Sequence, residues 1–128
     1  MTSMKSEVVD GLKAMLRGPV LQPGDPDYDA ARTIWNAMIE RRPVLIARCA
    51  GTADVLACVR FARQHGLPLA VRGGGHNIAG NALCDDGLVI DLSGMRSVHV
   101  DPEARLAWAD GGCLLSDLDH ETQAYGLA

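Results

Sequence analysis

Residues 67–80 read LPLAVRGGGHNIAG. An apolar run of the kind that forms a buried strand ends in Arg72, then in Gly73, Gly74 and Gly75, then in His76. Glycine loses more freedom on folding than any other residue and gives a strand nothing to pack. Three in succession therefore mark backbone that must take unusual dihedrals or must be approached very closely. Successive exposed N–H groups in such a loop form a concave nest for an anion, of which phosphate is the commonest. On the glycines alone two readings stay open, a sharp turn and a ligand loop.

The familiar phosphate loops do not match. G-x-x-x-x-G-K-[ST] needs a lysine after the glycines, and the chain has lysines only at positions 5 and 13. The dinucleotide pattern G-x-G-x-x-G is met by Gly73 and Gly75 but only approached by Gly80. The following NALCDDG reads as loop, with no helix N-terminus to receive a pyrophosphate.

The neighbouring segments say what the loop hangs on. VLIARC, residues 44–49, reads as a short buried strand. GTADVLACVRFARQHG then reads as a helix, with Thr52 as N-cap and Asp54 in the first turn, where the helix dipole favours an anion. Val55, Val59 and Ala62 are expected on its inner face beside Cys58, with Gly66 as the left-handed terminator and Pro68 just beyond. PLAVR follows as a second strand, so strand, helix and strand predict a βαβ unit with parallel strands.

GLVIDLSGM and SVHVDPEARLAWADGG read as further strands, with turns at Ser93-Gly94 and Asp101-Pro102. A βαβ unit followed by antiparallel strands is an α+β pattern. LLSDLDHETQAYG reads as a helix with Leu114, Leu115, Leu118 and Thr122 inward. Upstream, Val8, Leu12, Met15 and Leu16 recur at helical spacing until Gly18-Pro19. Asp29 is placed to cap a helix carrying Ala30, Ile34, Ala37 and Met38, which Pro43 ends. The division expected is a helical lead-in over residues 1–43 and a sheet-bearing unit over 44–128.

Bulk properties exclude several functions. At 128 residues the chain suits one domain with a real core. A net charge of −4 and scattered aromatic residues (Phe61, Trp35, Trp108, Tyr28 and Tyr125) argue against a nucleic-acid partner. No apolar run approaches the ~20 residues of a membrane span. The start, MTSMKSEVVDGLKAML, is too acidic and too short in apolar residues for a secretory signal, so a cytoplasmic location is expected. Cys49, Cys58, Cys84 and Cys113 lack C-x-x-C spacing and read as free thiols, mostly buried. His65, His76, His99 and His120 lack metal-ligand spacing, and no metal site is expected.

The arginine, the three glycines and the histidine, set after a strand–helix–strand unit, resemble the FAD-linked oxidases. These carry the flavin-binding domain of the p-cresol methylhydroxylase and vanillyl-alcohol oxidase type, and the berberine-bridge-enzyme-like members are the nearest in pattern. Pro23-Gly24-Asp25, Tyr28, Arg32, Trp35-Asn36, Arg42-Pro43 and Thr52 fall where bacterial members of that group have them, and GLVIDLSGMRSVHVDPEARLAWADGG is similar to the strands that follow the loop.

The resemblance implies that Val71, Arg72, Gly73, Gly74, Gly75, His76, Asn77 and Gly80 bind FAD, with backbone amides on the pyrophosphate. It further implies a covalent bond from His76 to the methyl group on the flavin's benzenoid ring, which holds the cofactor and raises its reduction potential. That attack needs a neutral imidazole. The reaction implied is hydride transfer from an alcohol, sugar or amine carbon to flavin, with reoxidation by dioxygen.

No catalytic residue is assigned within the chain, because the pattern's second glycine-rich segment and substrate domain would follow YGLA. A truncated N-terminal portion of the FAD-binding domain is therefore expected, with weak or no FAD binding alone and a bare face open to a second copy. The remaining candidates read as structural. His65 is a helix-end cation, His99 a strand-surface residue and His120 a solvated helix residue. Cys113 precedes the region where such enzymes carry a second flavin tether, and Asp117 and Asp119 do not share a helix face. Two other functions stay open: a non-catalytic nucleotide-binding or interaction remnant, and a different phosphate-ligand enzyme.

Overall fold

The computed structural model describes residues 4–32, 41–73 and 85–127. In chain order these form α1 (Ser6–Met15), β1 (Val20–Leu21), α2 (Tyr28–Arg32), β2 (Leu45–Arg48), α3 (Thr52–His65), β3 (Leu69–Arg72), β4 (Leu88–Asp91), β5 (Val98–Asp101), β6 (Leu106–Ala109) and α4 (Leu115–Gln123). The architecture is α+β, with parallel and antiparallel pairing.

The first sheet runs β1-β2-β4-β3. Strands β2 and β3 are parallel, as the strand–helix–strand reading requires, but they are not neighbours. β4 lies between them and is parallel to both, with Leu45, Leu88 and Leu69 in one row and Arg48, Asp91 and Arg72 in another. The expectation that every strand after the glycines is antiparallel thus holds for β5 and β6 only. The reason is burial. The run LVID is buried at all four positions, and a strand covered on both faces belongs in the middle of a parallel sheet.

Two cores follow from alternation along β2 and β4. Leu45, Ala47, Leu88 and Ile90 face Val9 and Leu12 of α1 and Cys58, Phe61 and Ala62 of α3. On the other face Ile46, Ala70 and Val89 pack against Tyr28 and Ala31 of α2. The Tyr28 hydroxyl donates to the Pro43 carbonyl at 2.6 Å, which satisfies its one polar atom inside the core. Ile90→Val removes one methylene from the first core and should cost about 1 kcal/mol in a denaturant titration.

Several faces differ from the sequence reading. β3 is an edge strand, and Leu69 and Val71 are exposed rather than buried because α3 packs over β4. In α1, Leu12 is buried and Val8 packs against the core as expected, with Leu16 just past the helix, but Val9 is buried as well and Met15 is exposed. In α3 the buried residues are Asp54, Ala57, Cys58, Phe61 and Ala62, and Val59 faces out. Gly51, not Thr52, is the N-cap, while Gly66 closes the helix with φ of 61° as expected. In α4 only Thr122 is buried, and Leu114 and Leu115 face solvent. The expected helix around Ile34, Ala37 and Met38 lies mostly outside the described residues, which hold only its first part, α2.

No helix among the described residues is long and apolar enough to cross a membrane.

Candidate functional site at the carboxyl edge of the parallel strands

β2, β4 and β3 all end at one edge, and each ends in a charged residue. The register sets Arg48, Asp91 and Arg72 side by side, on the face that carries Ile46, Val89 and Ala70. Asp91 is buried between the two arginines. Its Oδ1 accepts from the Ser93 amide at 2.9 Å, and its Oδ2 lies 3.5 Å from Arg48 Nε. Arg72 donates from its guanidinium to the Ala31 carbonyl of α2. The row itself carries two guanidinium groups and one carboxylate.

Arg48 is the open member of the row. Its side chain is 39% exposed, yet Nε is buried and makes no hydrogen bond. A buried N–H without an acceptor is costly unless something supplies one. Beside it lies a cleft of about 350 Å³, lined by Gly18, Pro19, Arg48, Cys49, Ser93 and Gly94. The cleft is built from the residues just past β2 and β4, together with the turn that enters β1.

The main chain comes together tightly at this edge. Leu92 N donates to Arg72 O at 2.8 Å, Met95 N to Leu92 O at 2.8 Å, and Gly112 N to Met95 O at 3.0 Å. A Cβ on Gly73 would stand 2.7 Å from the Gly111 carbonyl oxygen. The first glycine of the run is therefore required by the approach of another segment of main chain.

Of the residues expected to bind cofactor, Val71, Arg72 and Gly73 are described. Val71 is exposed on the edge strand, Arg72 is anchored to α2 through the Ala31 carbonyl, and Gly73 directly follows β3. Gly74, Gly75, His76, Asn77 and Gly80 lie outside the described residues. Sequence reasoning missed Arg48, Asp91 and Ser93. The signal was present: three apolar runs, LIAR, LAVR and LVID, each close on a charged residue.

Asp54 braces the same corner. Its carboxylate accepts from the amides of Ala50 at 2.9 Å and of Arg17 and Gly18 at 3.0 Å. Burial alone would push this group up, but the three amides and the Arg17 charge outweigh that and hold it below the usual carboxylate range. The clasp fixes the turn before β1 against the start of α3, and with it one wall of the cleft.

Two larger cavities, of about 390 and 520 Å³, lie between α4 and the β5–β6 pair and share no lining residue with the strand-end cleft. The second holds a surface ion pair in which Arg96 meets Asp117 at 2.6 Å and keeps that carboxyl down at about 2. Among the described residues, neither is lined by Gly73 or by the three strand ends, so size alone does not make them the site. No cluster of three or more potential metal ligands occurs among the described residues.

Residues 43–128 match the FAD binding domain family. The chain belongs to that family. It is 42% identical over 113 residues to (R)-6-hydroxynicotine oxidase of Paenarthrobacter nicotinovorans, an overlap of 88% of this chain and 25% of that protein. The crystal structure of 6-hydroxy-D-nicotine oxidase from Arthrobacter nicotinovorans superposes with a TM-score of 0.83 at 41% identity, over 87% of this chain and 24% of the other. Berberine-bridge-enzyme-like 1 of Physcomitrella patens superposes with a TM-score of 0.73 at 26% identity, over 78% and 22%. The chain thus spans about a quarter of the length of the relatives it matches.

The described residues fit the cofactor of this family. FAD carries a negatively charged diphosphate, and the strand-end row holds two arginines, of which Arg48 is part exposed beside the cleft. The carboxyl edge of parallel strands is also where open sheets bind nucleotides in general.

Proposed function

We propose that the chain is the cofactor-holding part of an oxidase in which bound FAD takes a hydride from an alcohol, sugar or amine carbon and dioxygen removes the electrons. Gly73 through Asn77, together with Val71, Arg72 and Gly80, bind the cofactor, with backbone amides on the diphosphate. Arg48 and Arg72 balance its charge, and Asp91 keeps both guanidinium groups in line. His76, as a neutral imidazole, tethers the flavin ring. Residues 1–43 form the lead-in, and residues 44–128 form the first part of the flavin domain. The work is cytoplasmic.

One observation carries the reading. Gly73 follows Arg72 at the end of β3, in the same strand-end row as Arg48, whose side chain is part exposed beside the cleft. The similarity to a protein named as an oxidase supports dioxygen as acceptor. Leu106 and Trp108 of β6, with Leu115 of α4, are exposed apolar residues on a strand whose four positions all face solvent. A second copy covers them, and the chain alone holds FAD weakly.

The tether is tested by incubating the chain with excess FAD, precipitating with acid and weighing the intact protein. The expected product carries one added FAD, and His76→Ala carries none. An unmodified mass in the parent chain contradicts the tether. An assay for hydrogen peroxide across alcohols, sugars and amines, run on a flavin-loaded sample, reads out the substrate class.

A further inference from the structure

A pair of thiols lies next to this site. Cys49 follows Arg48 at the end of β2, and Cys58 lies in α3 on the helix face that packs over the sheet. Their sulfur atoms are 3.9 Å apart, and both residues are buried. We propose that Cys49 and Cys58 form an oxidative modification site, closed by a peroxide into an intramolecular disulfide that ties the carboxyl end of β2 to α3.

The geometry carries most of this. A disulfide places its sulfurs about 2.05 Å apart, so the pair closes by about 2 Å of approach that side-chain rotation shares with the backbone. Cys58 is a thiol with no other hydrogen-bonding partner among the described residues. A buried cysteine in apolar surroundings is ordinarily inert. Cys49 differs because the Cys58 thiol lies against its sulfur and holds it below the usual thiol range, while Cys58 itself is pushed up by the same contact and by burial. Position gives the two sulfurs separate parts: Cys49, which lines the strand-end cleft, meets the oxidant first, and Cys58, in α3 behind it, resolves. That cleft gives a small oxidant its path.

The chemistry balances in two steps. Cys49 sulfur attacks one oxygen of hydrogen peroxide, the O–O bond breaks, and water leaves with the thiol proton, giving a sulfenic acid on Cys49. Cys58 sulfur then attacks Cys49 sulfur, the S–O bond breaks, and the hydroxyl leaves as water with the Cys58 proton. Two thiols lose two electrons in all, and one peroxide becomes two waters. The proposal rests on the oxidase reading only for the source of the peroxide. That reading would make the oxidant a product of the enzyme's own turnover, and the cross-link a record of it beside the cofactor edge.

The test supplies the oxidant from outside, so its result does not depend on the oxidase reading. The folded chain is treated with excess hydrogen peroxide and then denatured and alkylated. The expected mass is two hydrogens lower before alkylation, with only Cys84 and Cys113 labelled. A peptide joining Cys49 to Cys58 should vanish on reduction with dithiothreitol, and the oxidised chain should have a higher thermal midpoint. Cys58→Ala should stop Cys49 at oxygen adducts, and Cys113→Ser, remote from the pair, should leave the cross-link intact. Four labelled thiols after peroxide, a cross-link through Cys84 or Cys113, or an equal yield in guanidinium-unfolded chain would each overturn the proposal.

Discussion

Gly112→Ala is expected to cost about 3–5 kcal/mol, enough to leave the chain largely unfolded at room temperature. The added Cβ would lie 1.6 Å from the Leu92 carbonyl oxygen and 2.7 Å from that of Met95. Both are main-chain atoms, so no side chain can swing aside. The Gly112 amide is itself bonded to the Met95 carbonyl at 3.0 Å, which holds the two segments together at that spacing. Relief would require the turn after β4 to move. That turn carries Ser93, whose amide orients Asp91, and so the row of charged strand ends would move with it. Urea titration followed by circular dichroism measures the loss. Gly18→Ala, whose Cβ would stand 1.7 Å from the Arg48 carbonyl oxygen, is expected to behave alike. A variant as stable as the parent would mean that these backbone approaches do not exist in solution.

Asp54→Ala should cost about 3 kcal/mol, because three amide donors lose a charged acceptor at once. The sign of the pH dependence follows from the lowered carboxyl. A carboxylate whose folded value lies below its unfolded value, about 3.9, stabilises the fold fully above that unfolded value. The contribution fades as pH falls through the folded value. Parent and variant should therefore differ most at neutral pH, and the gap should close in strong acid. A gap that stays constant from neutral pH down to strong acid would show that the carboxylate's charge plays no part.

The two strands flanking α3 and the left-handed Gly66 are legible in the sequence, because each depends on local chemistry: an apolar run or a residue able to take positive φ. What the sequence conceals is pairing. Nothing local in LVID says that it slips between β2 and β3, since a parallel insertion is decided by which strand can bury both faces. β1 is two residues long and carries no period to detect. Faces also shift where tertiary cover is uneven. Leu69 and Val71 look like core residues but occupy an edge that α3 does not reach. Leu114 and Leu115 follow a helical pattern but have nothing above them among the described residues.

The candidate site shows the same split. Gly73 and Arg72 are read directly from the glycine motif. Arg48 and Asp91 become site residues only when the register aligns them with Arg72 across three strands, a long-range fact. Asp54 reads as a first-turn acid in its own helix. Its main partners prove to be the amides of Arg17 and Gly18, more than thirty residues earlier.

The most direct test is an amide NMR titration of the isotopically labelled chain with FAD, which reads weak binding residue by residue. Saturable shifts should gather on the amides of Gly73 to Asn77, with Arg48, Ser93 and Gly94 beside them, and Arg48→Met should weaken the response. Shifts confined to β5, β6 and α4, or none at millimolar FAD, would contradict a cofactor seat at the carboxyl edge of the parallel strands.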